Sequence, residues 1–112
     1  MKKLLFVVGV VVAFAIPTAA LAVNINTGQL NTGCSGDGVY HFVAPGGGAT
    51  TRLILNMTGA GDVASPGALP DYYNNGTAHW WIDGSGTIVS ASASPANRLL
   101  LSDAVCEVKK GK

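Results

Sequence analysis

Turn formers punctuate this chain from end to end. Of its 15 glycines, 14 lie after residue 22. There they cluster with Asn, Ser, Asp and Pro at intervals of roughly ten residues, the spacing of short strands joined by turns. The segments between show no sustained i, i+3, i+4, i+7 apolar period. Several alternate, or are rich in β-branched and aromatic residues, which is the period-two signature of half-buried strands. Strands are expected over residues 39–43, 50–58, 77–83, 87–93, 98–101 and 105–108, with a further start at Tyr72 and Tyr73 that breaks at Asn74-Asn75-Gly76. Residues 23–29 read as a short edge strand or a loose arm, residues 31–38 as a loop, and residues 59–71 as a long connection. Asp83-Gly84-Ser85-Gly86 reads as a hairpin turn between the 77–83 and 87–93 strands. The expected fold is all-β: a small antiparallel β-sandwich of six to eight short strands.

The first 22 residues carry a different pattern. Met1-Lys2-Lys3 is a positive start, residues 4–16 are an uncharged apolar run, and Ala20-Leu21-Ala22 is a small-x-small cleavage pattern. Together these read as a cleaved secretory signal peptide, with the mature chain starting at Val23. The apolar run falls short of the roughly 20 residues a membrane-spanning helix needs. The expected product is secreted and has no membrane span once the leader is removed. Its organisation reads as a polar arm over 23–33, a sandwich domain over 34–108 and a basic tail over 109–112.

Two cysteines remain, Cys34 and Cys106, so one pairing exists. In an exported chain this small a disulfide is the expected state. Closing so long a loop stabilises by about 4 kcal/mol on the chain-entropy model. Cleavage of the leader would remove Lys2 and Lys3, leaving five basic residues against six acids, a net charge of −1. A surface so near neutrality gives no basis for binding nucleic acid.

Chemistry-bearing motifs are few. No Ser sits in a nucleophile-elbow context, and Gly84-Ser85-Gly86 lacks the strand–turn–helix setting that motif requires. His41 and His79 lie on strands, where convergence with Asp37 or Asp83 would suit zinc, but no local ligand spacing supports a metal. The expectation is therefore a non-enzymatic protein with no cofactor and no metal. Tyr72, Tyr73, His79, Trp80 and Trp81 fall within ten positions. Neighbours on a strand point to opposite faces, so Trp80 and Trp81 cannot both be core. Alternation places Trp80 inside with Ala78 and Ile82, and puts Trp81 and His79 outside. Trp81, His79, Tyr72 and Tyr73 are the expected contact patch for an extracellular glycan or protein partner, since an exposed indole offers area at low entropy cost. The alternative is that Trp81 packs beneath the 59–71 connection.

Three pieces carry a wider resemblance: Cys34 shortly before Val39-Tyr40-His41-Phe42-Val43; the stretch His79-Trp80-Trp81-Ile82-Asp83-Gly84-Ser85-Gly86-Thr87; and the close Leu99-Leu100-Leu101-Ser102-Asp103-Ala104-Val105-Cys106. Over residues 34–106 the chain resembles small bacterial secreted and cell-surface β modules. That resemblance implies an Ig-like or jelly-roll-like sandwich with an extracellular role, and it supplies no catalytic residues. Two functions are then in view. One is a binding or surface-associated module. The other is a self-assembling fibre or matrix subunit that uses the N-terminal arm for strand addition.

Overall fold

A computed structural model describes residues 22–107. The leader reading, apart from Ala22, and the basic-tail reading lie outside the described residues, as does Val108. The described chain is all-β and antiparallel. Its strands are β1 (Val23–Asn24), β2 (Gly33–Pro45), β3 (Arg52–Met57), β4 (Val63–Ala68), β5 (Tyr72–Asn74), β6 (Thr77–Ser94) and β7 (Leu100–Cys106), with one 3-10 turn at Thr27–Gln29. The strand order is β4-β3-β6-β2-β7, and both β1 and β5 pair with β6.

Strand β6 organises the molecule because it belongs to both layers. Its first part, through Thr87, pairs with β5 on one side and β2 on the other. Its last part, from Ile88, pairs with β3 and β1. The front sheet is thus β5-β6-β2-β7 and the back sheet β4-β3-β6-β1. Strands that switch sheets at a bend are a known way to make the corner of a sandwich. The core fills the space between the layers. Tyr40, Phe42, Ala44, Ala78 and Trp80 come from the front, and Leu53, Leu55, Met57, Ile88, Ala91 and Ala93 from the back. The alternation along β3 is strict, with Arg52, Ile54 and Asn56 exposed between Leu53, Leu55 and Met57.

The expected hairpin at Asp83-Gly84-Ser85-Gly86 is not a reversal. The chain runs through it, with Gly38, Asp37 and Cys34 of β2 opposite Gly84, Ser85 and Gly86. The glycines are there because the 58–61 loop runs alongside the strand at contact distance. Ser85 N donates to Ala60 O (2.9 Å) and Thr58 N donates to Thr87 O (2.9 Å). A Cβ on Gly84 would lie 2.6 Å from Ala60 O, and one on Gly86, whose φ is +89°, would strike Thr58 Oγ1.

Other expectations shift in smaller ways. The loop expected over residues 31–38 is largely strand, with a bulge between Cys34 and Asp37. The long connection contains edge strand β4, and Ala68 there accepts a bond from Trp80 Nε1 (2.9 Å). The 98–101 and 105–108 strands merge into one, β7, with a bulge opposite His41 and Phe42. The Asn75-Gly76 turn signal holds: φ is +52° and +76°, the pair of positive angles that closes a two-residue hairpin. The 23–33 arm is part of the sandwich, as the edge-strand reading has it. Val23 and Asn24 pair with Ala93 and Ser92, Ile25 is 3 % exposed, and Ile88 N donates to Thr32 O (2.9 Å). Cys34 and Cys106 are joined by a disulfide, so the start of β2 is tied to the end of β7.

Candidate functional site

The outer face of the front sheet gathers the chain's unusual side chains. Because β2 buries Tyr40, Phe42 and Ala44, it must present Val39, His41 and Val43 outward. Because β6 buries Ala78 and Trp80, it presents His79, Trp81 and Asp83. Register then decides who meets whom. Trp81, His41 and Asp103 form one cross-strand row over β6, β2 and β7. Tyr72, His79 and Val43 form the next.

Trp81 is 45 % exposed. One face of its indole lies against His41, with ring centroids 4.4 Å apart and planes within 9°. His41 Nε2 and His79 Nδ1 are 3.0 Å apart. Their rings are inclined by only 20°, with centroids 5.2 Å apart. That combination describes two nearly coplanar imidazoles meeting edge to edge across one N–H···N bond. His79 is also nearly parallel to Trp81, at 11° and 5.8 Å. The indole therefore runs parallel to a flat, hydrogen-bonded histidine pair. Tyr72 closes the side, tilted by 47° against His79 at 5.5 Å, and its hydroxyl accepts from Asn74 Nδ2 (2.9 Å). The backbone beneath Trp81 is pinned by Asp71, whose Oδ2 accepts from Trp81 N (2.8 Å).

The His41 pKa is pushed below its ordinary value. Burial of the ring is the main cause, the neighbouring His79 adds to it, and the Asp103 carboxylate opposes it. The neutral form of the His41 ring is thus favoured.

The sequence expectations sort clearly. Trp80 is the buried tryptophan and Trp81 the exposed one, as alternation requires. It is Trp80, not Trp81, that packs under the 59–71 segment. Trp81, His79 and Tyr72 share the face. Tyr73 does not: it stands opposite Ala78, on the other side of edge strand β5. The member that the expected patch lacks is His41. Its outward direction was legible in the alternation of residues 39–43, but its pairing with Trp81 is a matter of register.

The two histidines do converge, across a hydrogen bond between their rings. The N–H of one ring points at the in-plane lone pair of the other, with the two nitrogens 3.0 Å apart. A metal held between them at the usual ~2.0–2.1 Å would need the rings further apart in this orientation. Asp37 and Asp83 sit elsewhere, lining a groove with Val39, Val105 and Glu107 beside the disulfide. Among the described residues no group of three or more His, Cys, Asp or Glu is placed to hold a metal ion. No family model, curated protein or solved structure matches the chain.

Proposed function

We propose that this protein is an exported, non-enzymatic binding module whose contact surface is the Trp81 face of the front sheet. The single observation that carries this reading is the exposed indole, held flat against His41 and flanked by His79 and Tyr72. Large aromatic side chains anchored in place lose little entropy on binding, which is why they dominate contact energetics. Here the indole is already stacked on the His41 imidazole before any partner arrives. The leader-like first 22 residues and the disulfide support export.

The partner is a glycan or another extracellular protein that offers a flat, weakly polar surface. Trp81→Ala is the test, because the side chain contributes nothing to the core. Far-ultraviolet circular dichroism and the urea midpoint are expected to stay as in the parent. Binding in a glycan array and in capture from an extracellular protein fraction is expected to fall tenfold or more, the loss typical of a central aromatic anchor. Retention of every interaction by the alanine variant would remove this face as the contact surface.

A further inference from the structure

We infer that Asn75, at the tip of the β5–β6 hairpin, is a self-modification site: its side-chain amide is attacked by the Gly76 nitrogen, and the isoaspartyl linkage that results releases β5 from the aromatic face. The inference concerns the backbone that carries Tyr72 and stands whether or not that face is the contact surface.

Two neighbouring residues set the chemistry. The backbone nitrogen of Gly76 attacks Cγ of Asn75 and forms a five-membered imide. The proton lost by Gly76 leaves with the side-chain nitrogen as ammonia. Water then opens the imide at either carbonyl. Opening at the former backbone carbonyl routes the main chain through Cγ, which is isoaspartate; opening at the other carbonyl gives aspartate. The net change consumes water, releases ammonia and calls for no oxidant or reductant. A side chain on the attacking residue crowds its nitrogen, and glycine has none. Of the seven asparagines, only Asn75 precedes a glycine.

The fold leaves this pair open to reaction. Asn75 and Gly76 are both exposed. Among the described residues the Gly76 N–H donates to no acceptor, and a Cβ built on Gly76 would meet nothing within 4 Å. Asn74 differs, because its side-chain amide donates to the Tyr72 hydroxyl (2.9 Å). Ring closure does require the turn to open. Both residues lie in the left-handed region, with φ of +52° and +76°, and the planar imide cannot close there. Little holds the turn shut. Strand β5 has three exposed residues and pairs with β6 at three positions. Segments with so few buried contacts open locally at low free energy. Asp37-Gly38 and Asp83-Gly84 reach the same imide by loss of water, but there the backbone is locked: Gly38 pairs with Gly84 on one side and Cys106 on the other.

Isoaspartate inserts Cβ into the main chain. A two-residue hairpin has a fixed number of main-chain atoms between its strands, so the added atom breaks the register of Tyr72 with His79 and of Asn74 with Thr77. The attachments around the hairpin go with it. Gly46 N donates to Gly76 O (2.7 Å) and Asp71 N to His79 O (2.9 Å). The Asp71 carboxylate accepts from Trp81 N (2.8 Å). Tyr72 then leaves the side of His79, and the change runs one way because ammonia is lost.

The test incubates the oxidised full chain in mildly alkaline buffer made with heavy-oxygen water and samples it over weeks. Peptide mapping is expected to show Asn75 converted first, mostly to isoaspartate carrying a heavy oxygen, with Asp37 and Asp83 unaltered. Earlier conversion of another asparagine, or an intact Asn75 in folded protein while the urea-unfolded chain converts, would overturn the site. The converted protein is then separated by ion exchange and its amide hydrogen exchange is followed. The Gly46 and Asp71 amides are expected to lose their protection. The Ile25 amide, bonded to Ala91 O in the core (2.9 Å), is expected to keep it. Asn75→Asp adds the charge without the main-chain atom and is expected to keep all three protected. Protected Gly46 and Asp71 amides in the isoaspartyl protein would overturn the release of β5. Loss of the same protection in Asn75→Asp would overturn the added atom as its cause.

Discussion

At the scale of single residues, the period of two does most of the work. Trp80 and Trp81 are chemically identical neighbours, yet one is 1 % exposed and the other 45 %. Nothing but the alternation of a strand separates them, and alternation is visible in the sequence. His41 and His79 are 38 positions apart and meet only because β2 and β6 pair in one particular register. No local pattern encodes that, so the pair was not legible even though each ring's direction was. The pair also leaves a mark on stability. His41 loses solvent on folding, and its proton affinity falls below that of the unfolded chain. Above the ordinary value of 6.5 the ring is neutral in both states and makes no difference. As the pH falls through that value the unfolded chain takes up the proton first, so stability declines until the folded ring is protonated as well. The urea midpoint is therefore expected to fall between pH 7.5 and pH 5.5. His41→Gln is expected to flatten that slope, and an equally steep slope in the variant would place its origin elsewhere.

At the scale of elements, the Asp83-Gly84-Ser85-Gly86 segment shows why a turn signal can mislead. Glycines permit a hairpin, but they also permit another piece of backbone to approach closely, and the local sequence does not separate the two. The separating fact is the 58–61 loop, some 25 residues away in the chain, which lies against the strand and takes its hydrogen bonds. Gly86 should consequently resist substitution. Alanine there combines an unfavourable φ of +89° with a collision at Thr58 Oγ1, and a loss of about 2 kcal/mol or more in urea unfolding is expected. Gly48 is the control. Its Cβ would meet nothing within 4 Å, so Gly48→Ala is expected to stay within about 0.5 kcal/mol of the parent. Equal effects at the two sites would contradict this close approach of the 58–61 loop. The N-terminal segment makes the same point about non-local information. Read alone it is polar and arm-like, but Ile25 is inserted in the core and its N–H donates to Ala91 O (2.9 Å). To complete a neighbour's sheet, the segment must first withdraw that side chain, at a cost of about 2–3 kcal/mol.

At the scale of the whole molecule, the two layers share one strand, and the disulfide closes what β6 leaves open. Fewer than a hundred residues form the described fold, a size at which a hydrophobic core leaves only a small surplus over conformational entropy. Cys34 and Cys106 are 72 positions apart in sequence but lie at the ends of neighbouring strands, where Gly38 pairs with Cys106. The bond thus spans nearly the whole described fold while joining strands that are already hydrogen-bonded. Its main effect is on the unfolded chain, which it prevents from separating its ends. Removing it through Cys34→Ala together with Cys106→Ala is expected to cost about 4 kcal/mol. That is a large share of the roughly 5–15 kcal/mol by which domains of this kind are stable, so the urea midpoint is expected to move by several molar units of denaturant, given a slope near ~1 kcal/mol/M for so small a chain. Reductant is expected to bring the parent protein to the same midpoint and to leave the double variant unchanged. A shift under about 1 kcal/mol would mean that the β2–β7 pairing and the shared strand hold the layers together unaided. A shift near the expected size ties the fold, and with it the Trp81 face, to an oxidising compartment, because in reducing surroundings the same sequence would retain only a small margin of stability.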